Sequence, residues 1–358
     1  MKNKIIILGA TGYTGSLVAK EFNNKNIQFS IAGRDEAKTM LLHNSLSECD
    51  RYYQFNSQID QDLTLLDSFD IIINCIGPYN IFSKSITKYL STRHCMYFDI
   101  TGEQSFVKES LDLYSESIFK HQSLFCHSCS FESALVGMMT NLICNKNIPY
   151  KSIKSYYGFK EAGASPGTRF TMKTHTHFKQ YKVLDFKLEE ASEEQTFKNI
   201  KFSHFIGDVV GYFTPFPEVI FSQQKFMAKE IASYTLMPLS SAQMTLSMNS
   251  RGITNLDKII KKLSKSSFSG PSAAERKKQA FFIGVKCSDE MGKENRIELT
   301  GYDMYQVTAN LLCETVEYLL ASKDKPVGVK CMSEYTDENF FKEFCRKNGL
   351  EIFRNEQV

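Results

Sequence analysis

Through the first third of the chain, short unbroken apolar runs alternate with stretches of helical spacing. Ile5-Ile6-Ile7-Leu8 passes straight into Gly9-Ala10-Thr11-Gly12-Tyr13-Thr14-Gly15 and then into the amphipathic Ser16-Leu17-Val18-Ala19-Lys20-Glu21-Phe22. This pattern predicts a buried strand, a glycine turn and a helix. Phe29-Ser30-Ile31-Ala32 predicts a second strand ending in Gly33-Arg34-Asp35, and the run from Asp70 through Asn74 to Tyr79 predicts a third that ends in a Gly77-Pro78 loop. A helix over Ser83 to Ser91, a strand Met96 to Ile100 ending in Thr101-Gly102-Glu103, a helix Gln104 to Lys120 and a strand Ser123 to Cys126 continue the alternation. Near-continuous apolar strands suit a parallel sheet covered on both faces, and strand-helix alternation builds that sheet doubly wound.

From about Tyr150 the pattern changes. Aromatic and β-branched residues alternate with polar ones, as in Tyr156-Tyr157-Gly158-Phe159 and Gln279-Ala280-Phe281-Phe282-Ile283-Gly284-Val285-Lys286, which predicts an antiparallel sheet with helices on one face. Pro271-Ser272 with Glu275 opens a helix or turn, Tyr302 to Ala321 has helical spacing, and Asp337 to Lys347 predicts a last helix capped by Asn348-Gly349. The expected fold class is α/β, with an N-terminal Rossmann-type doubly wound parallel sheet and a second α+β domain on a mainly antiparallel sheet. The expected division is 1–130 for the first domain and 131–301 for the second.

Composition narrows the picture. A chain of 358 residues with 42% hydrophobic residues can bury two cores. Forty-three basic against forty acidic residues leave +3, which gives no global footprint for nucleic acid or an anionic membrane. The basic run Lys258-Ile259-Ile260-Lys261-Lys262 reads as a solvated helix face. No stretch reaches the apolar length of a membrane span, and Gly9 breaks the N-terminal run too early for a signal peptide, so a soluble, cytoplasmic protein is expected. The ten cysteines lack framework spacing and read as reduced, buried residues. Cys126-His127-Ser128-Cys129 has the spacing of a zinc or redox half-site without a second pair. His175-Thr176-His177 can chelate if extended but has no carboxylate or cysteine partner nearby, so no metal site is assigned.

The glycine loop carries the chemistry. Gly9 allows a tight exit from the strand, Gly12 lets a pyrophosphate approach the backbone, and Gly15 lets the helix pack closely. The helix start favours anionic phosphates, so Gly9, Thr11, Gly12, Tyr13, Thr14 and Gly15 are candidate dinucleotide contacts. Arg34, about twenty residues on, can grip a 2′-phosphate through a fork of charge-assisted hydrogen bonds, which favours NADP(H) over NAD(H). Asp35 keeps NAD open, and a surface pairing of Arg34 with Asp35 or Glu36 is the plainer alternative. Ligands of such sheets bind beyond the carboxyl ends of the strands, which adds Asn74, Gly77 and Pro78 to the cofactor candidates.

Taken together and in order, these motifs resemble the saccharopine dehydrogenase-like oxidoreductases, and within them the trans-acting enoyl reductase branch. The matching segments are Gly9 to Gly15, Ala32-Gly33-Arg34, Asn74 to Tyr79 and Tyr97-Phe98-Asp99-Ile100-Thr101-Gly102-Glu103. Further matches are Ser165-Pro166-Gly167-Thr168, Gly270-Pro271-Ser272 with Glu275-Arg276, Gly301-Tyr302 with Thr308-Ala309, and Pro326-Val327-Gly328-Val329. Where relatives commonly carry Gly-Phe-Asp-Ser followed by a proline and another Asp, this chain reads Ser130-Phe131-Glu132-Ser133-Ala134-Leu135-Val136-Gly137, a departure that bears on the substrate pocket more than on the nucleotide loop.

The resemblance implies a C-terminal segment, about 302–358, that packs back on the first domain, and a nicotinamide cofactor with a hydride transfer, for which the protein supplies orientation and electrostatics. Tyr79, Asp99 and Glu103 are the candidate catalytic residues. Tyr79 can equally be a packing aromatic, and the two acids can be helix caps or loop hydrogen bonders. Thr168 and Arg169 are candidate substrate contacts. Three readings follow: a reductase of an activated C=C bond on a small-molecule or carrier-bound acyl substrate in lipid or polyketide metabolism, a saccharopine- or opine-type amino-acid or imine oxidoreductase with Arg169 as carboxylate clamp, and a non-catalytic nucleotide-binding sensor or interaction subunit. No nucleic-acid partner and no integral membrane segment are expected, and a homodimer is left open.

Overall fold

The computed structural model describes residues 3–161, 163–174, 177–191, 198–205, 208–250 and 269–355. They fall into two units, one from the residues up to Phe131 together with Tyr305–Tyr335, the other from Glu132–Met304 together with the residues from Thr336 onward.

In the first unit, β1 (Ile5–Leu8), β2 (Phe29–Gly33), β3 (Cys49–Gln54), β4 (Ile71–Asn74), β5 (Met96–Asp99), β6 (Leu124–Cys126) and β15 (Gly328–Lys330) form one sheet. Among the described residues its order is β15-β6-β5-β4-β1-β2-β3, and every pairing is parallel. The chain alternates these strands with α1 (Tyr13–Asn24), α2 (Glu36–His43), α3 (Asp60–Leu63), α4 (Tyr79–Phe82), α5 (Lys84–Leu90) and α6 (Gln104–Lys120), and α12 (Met304–Ala321) precedes β15. The expected doubly wound parallel sheet is present. β1 and β4 are buried at every position, as strands must be when both faces are covered. One core cluster gathers Ile6, Leu8, Ile72, Tyr97, Phe125 and Ile86.

Two strands were not legible in the apolar pattern. β3 reads Cys49-Asp50-Arg51-Tyr52-Tyr53-Gln54 and is only partly buried, because it lies at the sheet edge. β15 has only three residues. The run ending at Tyr79 is therefore the fourth strand in sequence, and it stops at Asn74; Tyr79 opens the short helix α4.

The second unit is built on a mixed, mostly antiparallel sheet. Among the described residues the order is β10 (Lys198–Asn199), β11 (Val210–Phe213), β12 (Ala228–Met237), β7 (Tyr150–Lys160), β13 (Ala280–Asp289), β14 (Glu294–Tyr302) and β16 (Glu351–Asn355). Only β12 and β7 run parallel along this path. β8 (Tyr181–Leu184) joins β12 and pairs with β9 (Lys187–Glu190). α7 (Ser133–Ile143) lies against β13 and β14, and α9 (Glu218–Lys225) against β12. Tyr156, Leu236 and Phe282 instead pack with Phe202 and Val209 from the 200–209 segment.

The C-terminal segment corrects one expectation. Only residues 305–335 join the first unit, whereas the rest belongs to the second. The cause is local: α13 (Glu338–Lys347) presents buried Phe341, Phe344 and Cys345 and packs on α7, and β16 extends the second sheet beside β14. The expected Asn348-Gly349 stop is present, with Asn348 as C-cap and Gly349 at φ 62°. Ser272 and Glu275 form a capping box at the start of α11 (Ala273–Arg276).

Candidate functional site

The strand order reverses between β1 and β4, the point at which open parallel sheets receive ligands. The glycine loop leaves β1 there. Gly9 adopts φ +69°, donates to Ala32 O at 2.9 Å, and accepts at its carbonyl from Gly12 N at 2.9 Å. A Cβ on Gly15 would lie 2.3 Å from Gly9 O, so only glycine permits α1 to approach the loop this closely. Gly12 is the N-cap of α1, and neither a capping side chain nor an acidic residue closes the first turn. The positive end of the helix is thus left for an anion. Thr11 and Thr14 are half-buried beside it, and the Tyr13 ring stands edge-on to Tyr305 at 4.9 Å.

At the end of β2, Asp35 is the N-cap of α2 and accepts from Lys38 N at 3.0 Å, with Lys38 Nζ 3.4 Å away. The Lys38 backbone N–H is the main reason its carboxyl sits below the usual range. Arg34 is exposed, and among the described residues no ion pair joins it to Asp35 or Glu36. Its guanidinium lies 5.8 Å over the Phe82 ring, and Gln54 Nε2 donates to its carbonyl at 3.3 Å. Neither Phe82 nor Gln54 was found from the sequence. Gln54 belongs to the edge strand that the apolar pattern missed, and Phe82 reads as an ordinary core aromatic.

On the other side of the reversal, the ends of β4, β5 and β6 are joined by buried polar groups. Asn74 is fully buried; Nδ2 donates to Ser83 Oγ and Tyr97 Oη, each at 2.9 Å, while Oδ1 accepts from Ile76 N at 3.0 Å. Gly77 is exposed and Pro78 buried in the turn that follows. Tyr79 Oη donates to Asn74 O at 2.9 Å, and burial pushes its phenol well above the usual range. Burial likewise takes the Cys75 thiol up to about 12.

The two acids hold loops. Glu103 accepts from Tyr79 N at 2.7 Å, Asn80 N at 2.9 Å and Asn80 Nδ2 at 2.8 Å, which closes the N-terminus of α4. Asp99 is fully buried and takes Thr101 N at 3.2 Å, Ser128 N at 2.9 Å and His127 Nδ1 at 2.6 Å, while its carbonyl accepts from Cys129 N at 2.7 Å. His127 Nε2 meets Ser110 Oγ at 2.8 Å. In the sequence His127 stands out only as part of a zinc or redox half-site. Cys126 and Cys129 are buried free thiols 3.2 Å apart, and Cys126 Sγ lies 2.7 Å from Tyr335 Oη. Among the described residues no His, Cys, Asp and Glu group converges as a metal site.

Tyr79, Asp99 and Glu103 are thus brought together with the glycine loop and Arg34 in one unit. Thr168 and Arg169 lie in the other unit, exposed near the start of α8 (Pro166–Thr174), where Ser165 Oγ accepts from Thr168 N at 3.1 Å. His175, Thr176 and the Lys258 to Lys262 run lie outside the described residues.

The fold and loop place the chain among known proteins. Its fold matches a saccharopine dehydrogenase (L-Glu forming) from Saccharomyces cerevisiae, with a TM-score of 0.64 over 99% of this chain and 100% of that one, at 14% identity. The chain resembles saccharopine dehydrogenase-like oxidoreductases and trans-acting enoyl reductases. A trans-acting enoyl reductase of Mycobacterium ulcerans is 24% identical over 136 residues, 36% of this chain and 32% of that protein. An Arabidopsis thaliana protein named as a saccharopine dehydrogenase-like oxidoreductase is 26% identical over 157 residues, 38% of this chain and 34% of that one. A lipid droplet localized protein of Caenorhabditis elegans is 21% identical over 155 residues, 39% and 35% of the two chains. These matches span about a third of each relative. No family model matches the chain. Among the described residues no helix is long and apolar enough to cross a membrane.

The residues present fit a nicotinamide dinucleotide. The first turn of α1, with Gly12 as its N-cap and no capping side chain or acidic residue in it, suits a pyrophosphate.

Proposed function

We propose that the chain is an NADP(H)-dependent oxidoreductase that reduces an activated C=C bond, such as that of an enoyl thioester carried on coenzyme A or a carrier protein, in the cytoplasm. The observation that carries the cofactor reading is the division of labour at the end of β2. Asp35, the group that would otherwise accept from an unphosphorylated ribose, is engaged as the cap of α2, while Arg34 stands exposed, directly after Gly33, which lies against Thr11 of the glycine loop. A guanidinium so placed is suited to a 2′-phosphate. The names of the mycobacterial relatives support the enoyl substrate class.

When bound, the cofactor supplies the hydride. The protein's part is placement. Gly9, Gly12 and Gly15, together with Thr11, Tyr13 and Thr14, would hold the cofactor's pyrophosphate at the loop. Asn74, through its bonds to Ser83, Tyr97 and Ile76, shapes the turn at Gly77 and Pro78. Asp99, Glu103 and Tyr79 act as positioning residues in this reading, because each spends its polar atoms on the loops that end β4, β5 and β6. Thr168 and Arg169 remain the candidate substrate contacts of the second unit.

The test is equilibrium binding of NADPH and NADH to the wild type and Arg34→Ala, followed by turnover with enoyl thioesters and with oxo acid and amino acid pairs. The expected result is a preference for NADPH that falls about tenfold or more in the variant, the scale of a lost charge-assisted pair. Equal binding of both nucleotides by the wild type would overturn the NADP assignment. Opine formation without enoyl reduction would move the activity to the saccharopine type.

A further inference from the structure

We infer that one end of the second unit's sheet docks on an anionic phospholipid surface. Four chain segments meet there, and each carries one exposed large apolar side chain: Ile148 before β7, Phe186 between β8 and β9, Met227 before β12 and Met291 between β13 and β14. They range from 40% exposed at Phe186 to 94% at Met291. Single exposed apolar residues are ordinary on a protein surface, whereas several gathered within a polar rim mark a binding face.

The sheet brings the four together. β7 and β12 start at this end and β13 finishes there, because Tyr150 pairs with Ala228 on one side and with Asp289 on the other. Met227 O accepts from Tyr150 N at 2.8 Å, which sets the Ile148 and Met227 segments side by side. Phe186 N donates to Lys229 O at 3.5 Å, and Lys229 Nζ reaches Glu290 Oε2 at 3.3 Å, which joins the other two. Phe186 is unusual in its backbone as well. The turn residues Asp185 and Phe186 have φ 45° and 66°, the conformation of a two-residue hairpin turn that favours glycine in second place. A phenylalanine there is kept against the local backbone preference.

The charges decide what this face meets. Lys146, Lys151, Lys187 and Lys293 are exposed at the same end, and among the described residues none of the four is held in an ion pair. The neighbouring acids are mostly engaged: Glu290 by Lys229, Glu294 by Lys286 at 3.6 Å, and Asp289 by the N–H groups of Met291 at 3.0 Å and Lys293 at 2.9 Å. Asp185 is the exception. The positive excess is local, which is why a whole-chain charge of +3 does not reveal it, and it repels a second copy of the same face. Protein interfaces favour arginine and are poor in lysine. A lysine at a lipid surface lays its apolar stem along the acyl boundary and keeps its ammonium among the phosphates, and lipid accepts separate apolar side chains without the close-packed core that a protein partner requires.

The chain has no tryptophan, so Met291→Trp places a single reporter at the most exposed tip, with Leu113→Trp on α6 of the first unit as control. The full chain is mixed with vesicles of phosphatidylcholine alone or with roughly a quarter phosphatidylserine, and a parallel set carries brominated acyl chains. Wild type is expected to float with the phosphatidylserine vesicles and not with phosphatidylcholine alone. On the former the Met291→Trp emission should shift to the blue and be quenched by bromine, while the Leu113→Trp emission does neither. Phe186→Gly with Met227→Ser should weaken vesicle binding about tenfold or more, the scale of two apolar side chains withdrawn from lipid, and Lys293→Gln about fivefold, with urea unfolding no weaker in Phe186→Gly because the turn is relieved. Wild type that stays off phosphatidylserine vesicles overturns the docking face. So does a reporter that is neither shifted nor quenched, or vesicle affinity unchanged in the Phe186→Gly, Met227→Ser protein. A wild-type dimer in sedimentation velocity that this double variant returns to monomer would assign the face to self-association and overturn the lipid assignment.

Discussion

The two halves of the parallel sheet end in opposite ways. Beyond β1 the chain removes side chains, since at Gly15 even one methyl group would strike the Gly9 carbonyl at 2.3 Å. Beyond β4, β5 and β6 it does the reverse and fills the ends with side chains whose polar atoms bind the neighbouring loops, through Asn74, Asp99 and Glu103. The first arrangement opens backbone to a ligand that carries its own charge. The second ties neighbouring loops to one another through buried hydrogen bonds.

The sharpest way to break the comparison is to put a side chain where the first half allows none. Gly15→Ala is expected to cost about 3 kcal/mol, the upper end of overpacking against backbone, and to abolish NADPH binding; urea unfolding and titration read the two effects. Normal stability with normal binding would show that the loop does not need the close approach. The second half should respond differently. Glu103→Ala leaves the donors of Tyr79 and Asn80 buried without their carboxylate, at about 2 kcal/mol, yet 2′,5′-ADP should still bind, and Glu103→Gln should recover part of the loss because one oxygen still accepts. Loss of 2′,5′-ADP binding in Glu103→Ala would mean that the two halves are not separable.

The smallest effect is expected in the other unit, where a third buried carboxylate serves as a contrast. Asp99 and Glu103 are satisfied largely by backbone N–H groups, whereas Glu218 takes its hydrogen bonds from the hydroxyls of Ser133 at 3.0 Å, Ser155 at 2.8 Å and Tyr157. Burial raises the Glu218 carboxyl above its ordinary value, although the Tyr157 and serine hydroxyls oppose the shift. A carboxyl raised in the folded state holds its proton more tightly there than in the unfolded chain. Its contribution to stability is therefore full below the ordinary carboxyl range and is lost as pH rises through the raised folded value. Denaturant unfolding across that window should show wild-type stability falling with pH more steeply than that of Glu218→Gln. Parallel curves for the two proteins would remove Glu218 from the pH dependence.

The sequence alone carried what depends on neighbours along the chain. Ile5 to Leu8 followed by Gly9 to Gly15 announces strand, turn and helix because apolar period and glycine are local signals, and α6 and the α13 C-cap were legible for the same reason. The edge strand β3 was not, since an edge strand buries too little to need an apolar run. Nor was the destination of residues 336–355, because an amphipathic helix states that it must bury a face without stating against what. The same divide runs through the candidate site. Arg34 could be picked out by its distance from the glycine loop, but that Asp35 caps α2 and leaves Arg34 exposed is a matter of geometry. Asp99 and Glu103 stood out as acids at strand ends, and only the folded chain decided that their charges are spent on backbone N–H groups from distant segments. Ser128 and Ser130 lay in segments that stood out for other reasons, Cys126 to Cys129 and Ser130 to Gly137, and nothing in the sequence marked the unpaired oxygens of these two serines or of Asn80. A hydrogen bond that is missing exists only once every other donor and acceptor has found its place in three dimensions.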